Sequence, residues 1–152
     1  MTDTSHLISR ADDRAMITAV LHRYAHLARE EADFALLGTL FTPTGTFALQ
    51  DGTTWSRDEI GNVVRGDEAA YIRHHATTID IQFVDTETAR ALTSFFTITD
   101  EAAPDHWGHW DDTLRKQPDG SWLIDTRVVI AEGADPEGWL MRVYTAEAQT
   151  SS

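Results

Sequence analysis

The chain has 152 residues, 41% of them hydrophobic and 24% charged, with 12 basic against 25 acidic side chains and no cysteine. That length suits one domain spanning 1–152, with a core at about 10–132, a tail at 133–152 and room for a small cavity. A net charge of −13 argues against nucleic-acid or anionic-membrane partners, and the lack of cysteine excludes disulfides, thiolate metal sites and a cysteine nucleophile.

No run approaches the ~20 apolar residues of a membrane helix. The opening Met1-Thr2-Asp3-Thr4-Ser5 lacks the basic start and apolar stretch of a signal peptide, so a cytoplasmic protein is expected. Residues 1–10 and 145–152 read as polar, loose ends. Asp12 or Asp13 can cap a first helix whose buried stripe is Ile17, Val20, Leu21, Tyr24 and Leu27 or Ala28. A second short helix carries Phe34, Leu37, Leu40 and Phe41, and Pro43 ends it. Thr46 to Leu49 reads as a strand, with Asp51-Gly52 turning into Thr53 to Trp55. Ser56-Arg57-Asp58-Glu59 has the form of a capping box for a third helix, with Ile60, Val63 and Val64 inward.

From Ile72 the period changes to two. Strands are expected from Ile72, over Ala89 to Thr99, over Trp107 to Lys116 and over Trp122 to Ala131. Helices first and hairpins afterwards indicate an α+β domain, helices packed on a curved, mostly antiparallel sheet. If the sheet curves strongly, helices and sheet enclose a pocket.

Successive strand residues face opposite sides, so His74 and His75 must part. Strict alternation with Ile79, Ile81 and Phe83 places His75 inward; a bulge near Thr77-Thr78 would turn His74 inward instead. In the last hairpin, a two-residue Asp119-Gly120 loop sets Asp112 opposite Arg127, and a four-residue loop sets Trp110 there. Either way Trp110, Asp112 and Arg127 share a face, as a structural ion pair or as part of a site. His106 and His109 have a metal-like spacing but point apart on a strand, and no metal is expected. His22 and His26 fit a solvated helix face, while Tyr24 either turns a hydroxyl into the pocket or is a core tyrosine with its hydroxyl satisfied. Without a glycine-rich phosphate loop, nucleophile elbow or dinucleotide fingerprint, no cofactor is expected.

Arg73-His74-His75-Ala76-Thr77-Thr78-Ile79 and Gly108-His109-Trp110-Asp111-Asp112-Thr113-Leu114, followed by Asp119-Gly120-Ser121-Trp122 and Arg127, resemble the SnoaL-like branch of the nuclear transport factor 2-like superfamily. Tyr24 to Leu27 and Leu36 to Pro43 match less specifically, and the resemblance covers roughly residues 10–132. It implies a cone-shaped α+β barrel and relatives such as scytalone dehydratase, hexachlorocyclohexane dehydrochlorinase and polyketide cyclases. It also implies His74 as the catalytic histidine, Arg127 as a pocket arginine and Tyr24 as the pocket tyrosine. The aspartate that orients the histidine in those lyases falls at Arg29 here, with Glu30 adjacent and Asp112 a substitute from the sheet.

The resulting expectation is a cofactor-independent lyase, isomerase or cyclase acting by proton transfer on a hydrophobic small molecule, in secondary metabolism or catabolism. His74, Tyr24, Asp112 and Arg127 are its catalytic candidates, with Trp110, Phe41, Phe47, Trp55 and Thr78 as the substrate-binding wall. The alternative is a non-catalytic binding or assembly subunit, with the Ile79-Ile81-Phe83 side as an oligomer face. A homodimer or homotrimer is expected in either case.

Overall fold

The computed structural model describes residues 10–64 and 66–150, with side chains through 144. Helix α1 (Ala11–Leu27) buries Ile17, Leu21 and Tyr24 of the expected stripe, and Ala25 beside them, while Val20, Leu27 and Ala28 are partly buried. Arg10, not an aspartate, occupies its cap position. Asp12 and Asp13 lie in the first turn, where their charge meets the positive end of the helix dipole.

Helix α2 (Phe34–Gly38) begins at Asp33, whose carboxylate accepts from the Leu36 amide at 3.0 Å. It is shorter than expected. Phe41 already opens strand β1 (Phe41–Leu49), so Pro43 lies within a strand rather than ending a helix. Proline is tolerated there because pairing with the neighbouring strand skips from Phe41 to Thr46. After β2 (Thr54–Ser56), the Ser56 amide donates to Glu59 at 3.0 Å, as in a capping box. The helix that follows, Arg57–Val63, is a 3-10 helix.

Strands β3 (Ile72–Phe83), β4 (Thr88–Thr99), β5 (His106–Lys116) and β6 (Trp122–Ala134) complete one sheet in the order β2-β1-β6-β5-β4-β3. Among the described residues only the β1–β6 pairing is parallel. The architecture is thus the expected α+β one. A last helix, α3 (Trp139–Thr150), was not anticipated from the sequence. The loose ends expected at 1–10 and 145–152 largely fall outside the described residues; over 145–150 the backbone is helical.

Two register shifts decide which side chains point inward. On β3, Ala76 pairs with Phe95 and Ile79 with Thr93, so Thr77 and Thr78 together oppose Ser94. This bulge reverses the phase, and His74 joins Ile79, Ile81 and Phe83 on the inner side. His75 faces outward, stacked on Phe96 at 4.8 Å between ring centroids. The Ile79-Ile81-Phe83 side therefore packs into the core and is not an open oligomer face.

At the last hairpin the Gln117 amide donates to the Ser121 carbonyl at 2.7 Å, and Gly120 takes φ +87°. The loop is therefore Pro118 to Gly120, neither of the two lengths considered, and it pairs Lys116 with Trp122. A second bulge, between Thr113 and Leu114, then restores Asp112 opposite Arg127.

Candidate functional site

The concave side of the sheet, the end of α1, the 3-10 helix and α3 enclose a cavity of about 570 Å³. That is the size and character of a small-molecule site: apolar walls with a few polar groups converging. Phe47, Phe95 and Trp110 supply aromatic wall from the sheet, and Trp139 and Leu140 close it from α3. Phe95 stacks on Trp110 at 5.2 Å, and Tyr24 meets Trp110 edge-on at 5.1 Å.

His74 lines the cavity. Helix α1 stops at Leu27, and the carbonyl of its capping residue Ala28 turns towards the ring, 2.7 Å from Nδ1. A carbonyl can only accept, so Nδ1 carries the proton and Nε2 of the neutral ring presents its lone pair. Burial disfavours the charged ring most strongly. The Ala28 carbonyl offsets part of this, while His106, Arg127 and His75 add to it, and the His74 pKa is pushed down to about 4.

A second imidazole stands beside it. His74 pairs across the sheet with Thr97, and Thr97 with His106, so the three occupy one inward row of β3, β4 and β5. Threonine is short enough for both rings to lean over it, and their centroids lie 6.1 Å apart. His106 also lines the cavity, and its Nδ1 donates to Asp105 Oδ1 at 2.8 Å. Burial lowers the His106 pKa, with Asp105 working against that. Asp105 is fully buried. Burial alone would raise its pKa, but hydrogen bonds from His106, Thr99, Leu140 and Trp139 outweigh that and hold it below the ordinary carboxylate range.

None of the carboxylates suggested as the partner of His74 reaches it. Glu30 pairs with Arg73 and accepts from the Ile72 amide at 3.0 Å. Arg29 lies past the helix end, 3.6 Å from Glu30. Asp112 forms a two-pronged bond with Arg127, at 2.8 and 2.7 Å, and both side chains are completely buried. The Arg127 guanidinium lies against both the Tyr24 and Trp110 rings, 4.0 and 4.1 Å from their centroids. It supports the cavity wall from behind instead of facing a ligand. Burial raises the Asp112 pKa against the pull of Arg127, and raises that of the Tyr24 phenol in the same way.

Of the nine residues expected at the site, His74, Tyr24, Trp110 and Phe47 line the cavity. Asp112 and Arg127 stand behind it. Phe41 is wholly buried under Tyr24, and Trp55 packs behind Phe47 at 6.2 Å. Thr78 is exposed at the bulge, whose extra residue turns it away from the inner row. The sequence reading missed Phe95 and Asp105, and weighed His106 only as a metal ligand. Hairpin register alone could have put His74 and His106 in one row.

The profile of the SnoaL-like domain matches residues 9–128. The chain belongs to the SnoaL-like family. No curated protein matches it in sequence. Among solved structures it is similar to a protein of unknown function with a cystatin-like fold from Nostoc punctiforme, at 20% identity and a TM-score of 0.70 over 86% of this chain and 96% of that one. It is also similar to a putative scytalone dehydratase from Novosphingobium aromaticivorans, at 22% identity and TM-score 0.62 over 89% and 91% of the two chains. A type 2 hexachlorocyclohexane dehydrochlorinase superposes at TM-score 0.71 and 11% identity over 84% and 90%. At these identities the likeness is one of fold.

Proposed function

We propose that this SnoaL-like protein is a cofactor-independent lyase, isomerase or cyclase that moves a proton on a hydrophobic small molecule. The observation that carries the reading is the convergence of two imidazoles and one phenol on a mostly apolar cavity of about 570 Å³. In such a site a neutral imidazole can accept a proton from carbon, or relay one, without competition from bulk water. His74 offers Nε2 for that exchange, and Tyr24 offers a hydroxyl to a carbonyl or leaving group. The aromatic wall formed by Phe47, Phe95 and Trp110 fits an apolar, unsaturated ligand.

A generic carbon acid tests this without knowledge of the natural substrate. 5-Nitrobenzisoxazole fits such a cavity and opens to a coloured phenolate once its C3 proton is removed. The expected result is saturable turnover, faster than an equal concentration of free imidazole and blocked by an apolar competitor. Turnover no better than free imidazole refutes the proton-transfer reading.

A second reading is a non-catalytic small-molecule carrier. It draws on the absence of a carboxylate on His74, whose Nδ1 is bonded to backbone. Saturable binding, followed by quenching of the cavity tryptophans with no turnover of the probe, would select it.

A further inference from the structure

The row that sets His74 beside His106 also sets a buried carboxylate behind only one of the two. We propose that Asp105 and His106 are the proton-accepting dyad of this cavity, with His106 Nε2 as the base and Asp105 as the residue that positions it. The inference rests on the proton-transfer reading above and assigns its base.

Three observations support it. First, the partners differ in charge. His74 Nδ1 donates to a neutral carbonyl at 2.7 Å, whereas His106 Nδ1 donates to a carboxylate at 2.8 Å. An ionised acceptor stabilises an imidazolium far more than a carbonyl dipole does, so a proton arriving at this pair of rings is better held by His106. Second, the carboxylate is kept charged and fixed. Asp105 Oδ2 accepts from Thr99 Oγ1 at 2.8 Å and from the Trp139 amide at 2.6 Å, and Oδ1 from the Leu140 amide at 3.2 Å. Those amides open helix α3, whose positive end favours the ionised form. Third, the geometry leaves His106 Nε2 as the free atom. With Nδ1 tied to Asp105, Nε2 makes no hydrogen bond to any described residue, and the ring lines the cavity. The titratable groups around the ring are Asp105 and, across Thr97, His74.

In the step assigned here, His106 Nε2 takes a proton from a carbon next to a carbonyl, and the C–H electron pair passes into the carbonyl as an enolate. The imidazolium formed, held by Asp105, then returns the proton to carbon or oxygen of the product, so nothing is oxidised or reduced.

The test is turnover of 5-nitrobenzisoxazole between pH 4 and 8. His106→Asn is expected to lower the rate constant at least ~100-fold, the low end of general-base effects, with His106→Gln repeating the test should the first variant not fold. His22→Asn, on the exposed side of α1, is expected to leave it unchanged. Asp105→Asn keeps an acceptor oxygen for only one of the two α3 amides and loses the charge; it is expected to slow the reaction and move the acidic limb of the pH profile to lower pH. A structural role for Asp105 alone would not move that limb. A wild-type protein that turns the probe over, with His106→Asn within twofold of it, overturns the dyad and leaves the proton-transfer reading standing. A wild type that does not outpace imidazole overturns that reading, and the dyad falls with it.

Discussion

Replacing Arg127 by methionine tests how much of this fold rests on one buried charge pair. The guanidinium and the Asp112 carboxylate are both inaccessible to solvent and joined by bonds of 2.8 and 2.7 Å. Removing the cation leaves a carboxyl that can neither reach water nor find another cation, at a cost of about 3–5 kcal/mol. Losing the contacts to the Tyr24 and Trp110 rings, at 4.0 and 4.1 Å, adds about 1 kcal/mol or more. A domain of this size has roughly 5–15 kcal/mol in total, so the single variant should be marginal. The double variant Asp112→Leu/Arg127→Met removes both charges and restores apolar packing. It should therefore be more stable than Arg127→Met alone. Urea unfolding followed by tryptophan fluorescence gives all the corners of the cycle. Destabilisation of the double variant equal to the sum of the singles, or a loss below about 1 kcal/mol for Arg127→Met, would show that the pair is not coupled.

Other consequences are equally open to measurement. The His74 pKa of about 4 lies below the ordinary 6.5, so the unfolded chain binds that proton first and the fold loses stability as pH falls from 6.5 to 4. At roughly 1.4 kcal/mol per unit the penalty reaches about 3 kcal/mol at the acid end, and His74→Asn, which can still donate to the Ala28 carbonyl, should show a correspondingly flatter stability curve. An unchanged slope would mean the ring is not sequestered from water. Glu30 titrates at about 2 instead of 4.5 because Arg73 and the Ile72 amide hold its charge; its contribution is complete above pH 4.5 and lost as pH falls towards 2, so Glu30→Gln should differ most from wild type at neutral pH and least near pH 2. Gly108→Ala sets a Cβ against the Ile130 carbonyl oxygen, a backbone clash that must push β5 and β6 apart. A loss of about 2–3 kcal/mol is expected, read as a drop of several degrees in Tm; an unchanged Tm would contradict the close approach of the two strands.

The sheet was legible in the sequence because its signal is local. Alternation, turn residues and the family motifs all lie within short windows, and a period of two survives whatever packs above it. The Thr77-Thr78 bulge shows where that logic needs help: alternation alone points His75 inward, and only the extra residue between Ala76 and Ile79 puts His74 there. The last hairpin brought Asp112 opposite Arg127 by another route than either loop length proposed, a three-residue loop followed by a compensating bulge. Placing Arg127 in the cavity failed for a different reason. Register says which face a side chain leaves from, not how far its stem carries the charge, and here the guanidinium is held by Asp112 and lies against the Tyr24 and Trp110 rings. Helix α3 was hidden because what holds it is remote in sequence. Asp105 takes the Trp139 and Leu140 amides, Trp139 Nε1 donates to the Asp67 carbonyl at 2.7 Å, and Arg142 reaches Glu101 at 2.8 Å.

The same remote contacts bear on the apparent loss of the histidine's acidic partner. Helix α1 ends at Leu27, so a side chain at position 29 no longer projects from a helix, and Glu30 is drawn off by Arg73. What the end of α1 supplies instead is the Ala28 carbonyl, enough to set the tautomer of His74 but not to neutralise its cation. A carboxylate does reach this row of the sheet, from the start of β5, and it reaches the neighbouring ring. Because that carboxylate also takes the first amides of α3, one buried charge both closes the cavity and supports an imidazolium inside it. Neutralising Asp105 therefore acts on two things at once: the α3 amides lose a charge-assisted acceptor and His106 loses its counter-ion. The helix can be monitored by amide exchange at 139–143 and the base by its pH profile. An Asp105→Asn protein in which exchange stays slow while the profile moves would separate the electrostatic role of this residue from its role in holding the fold.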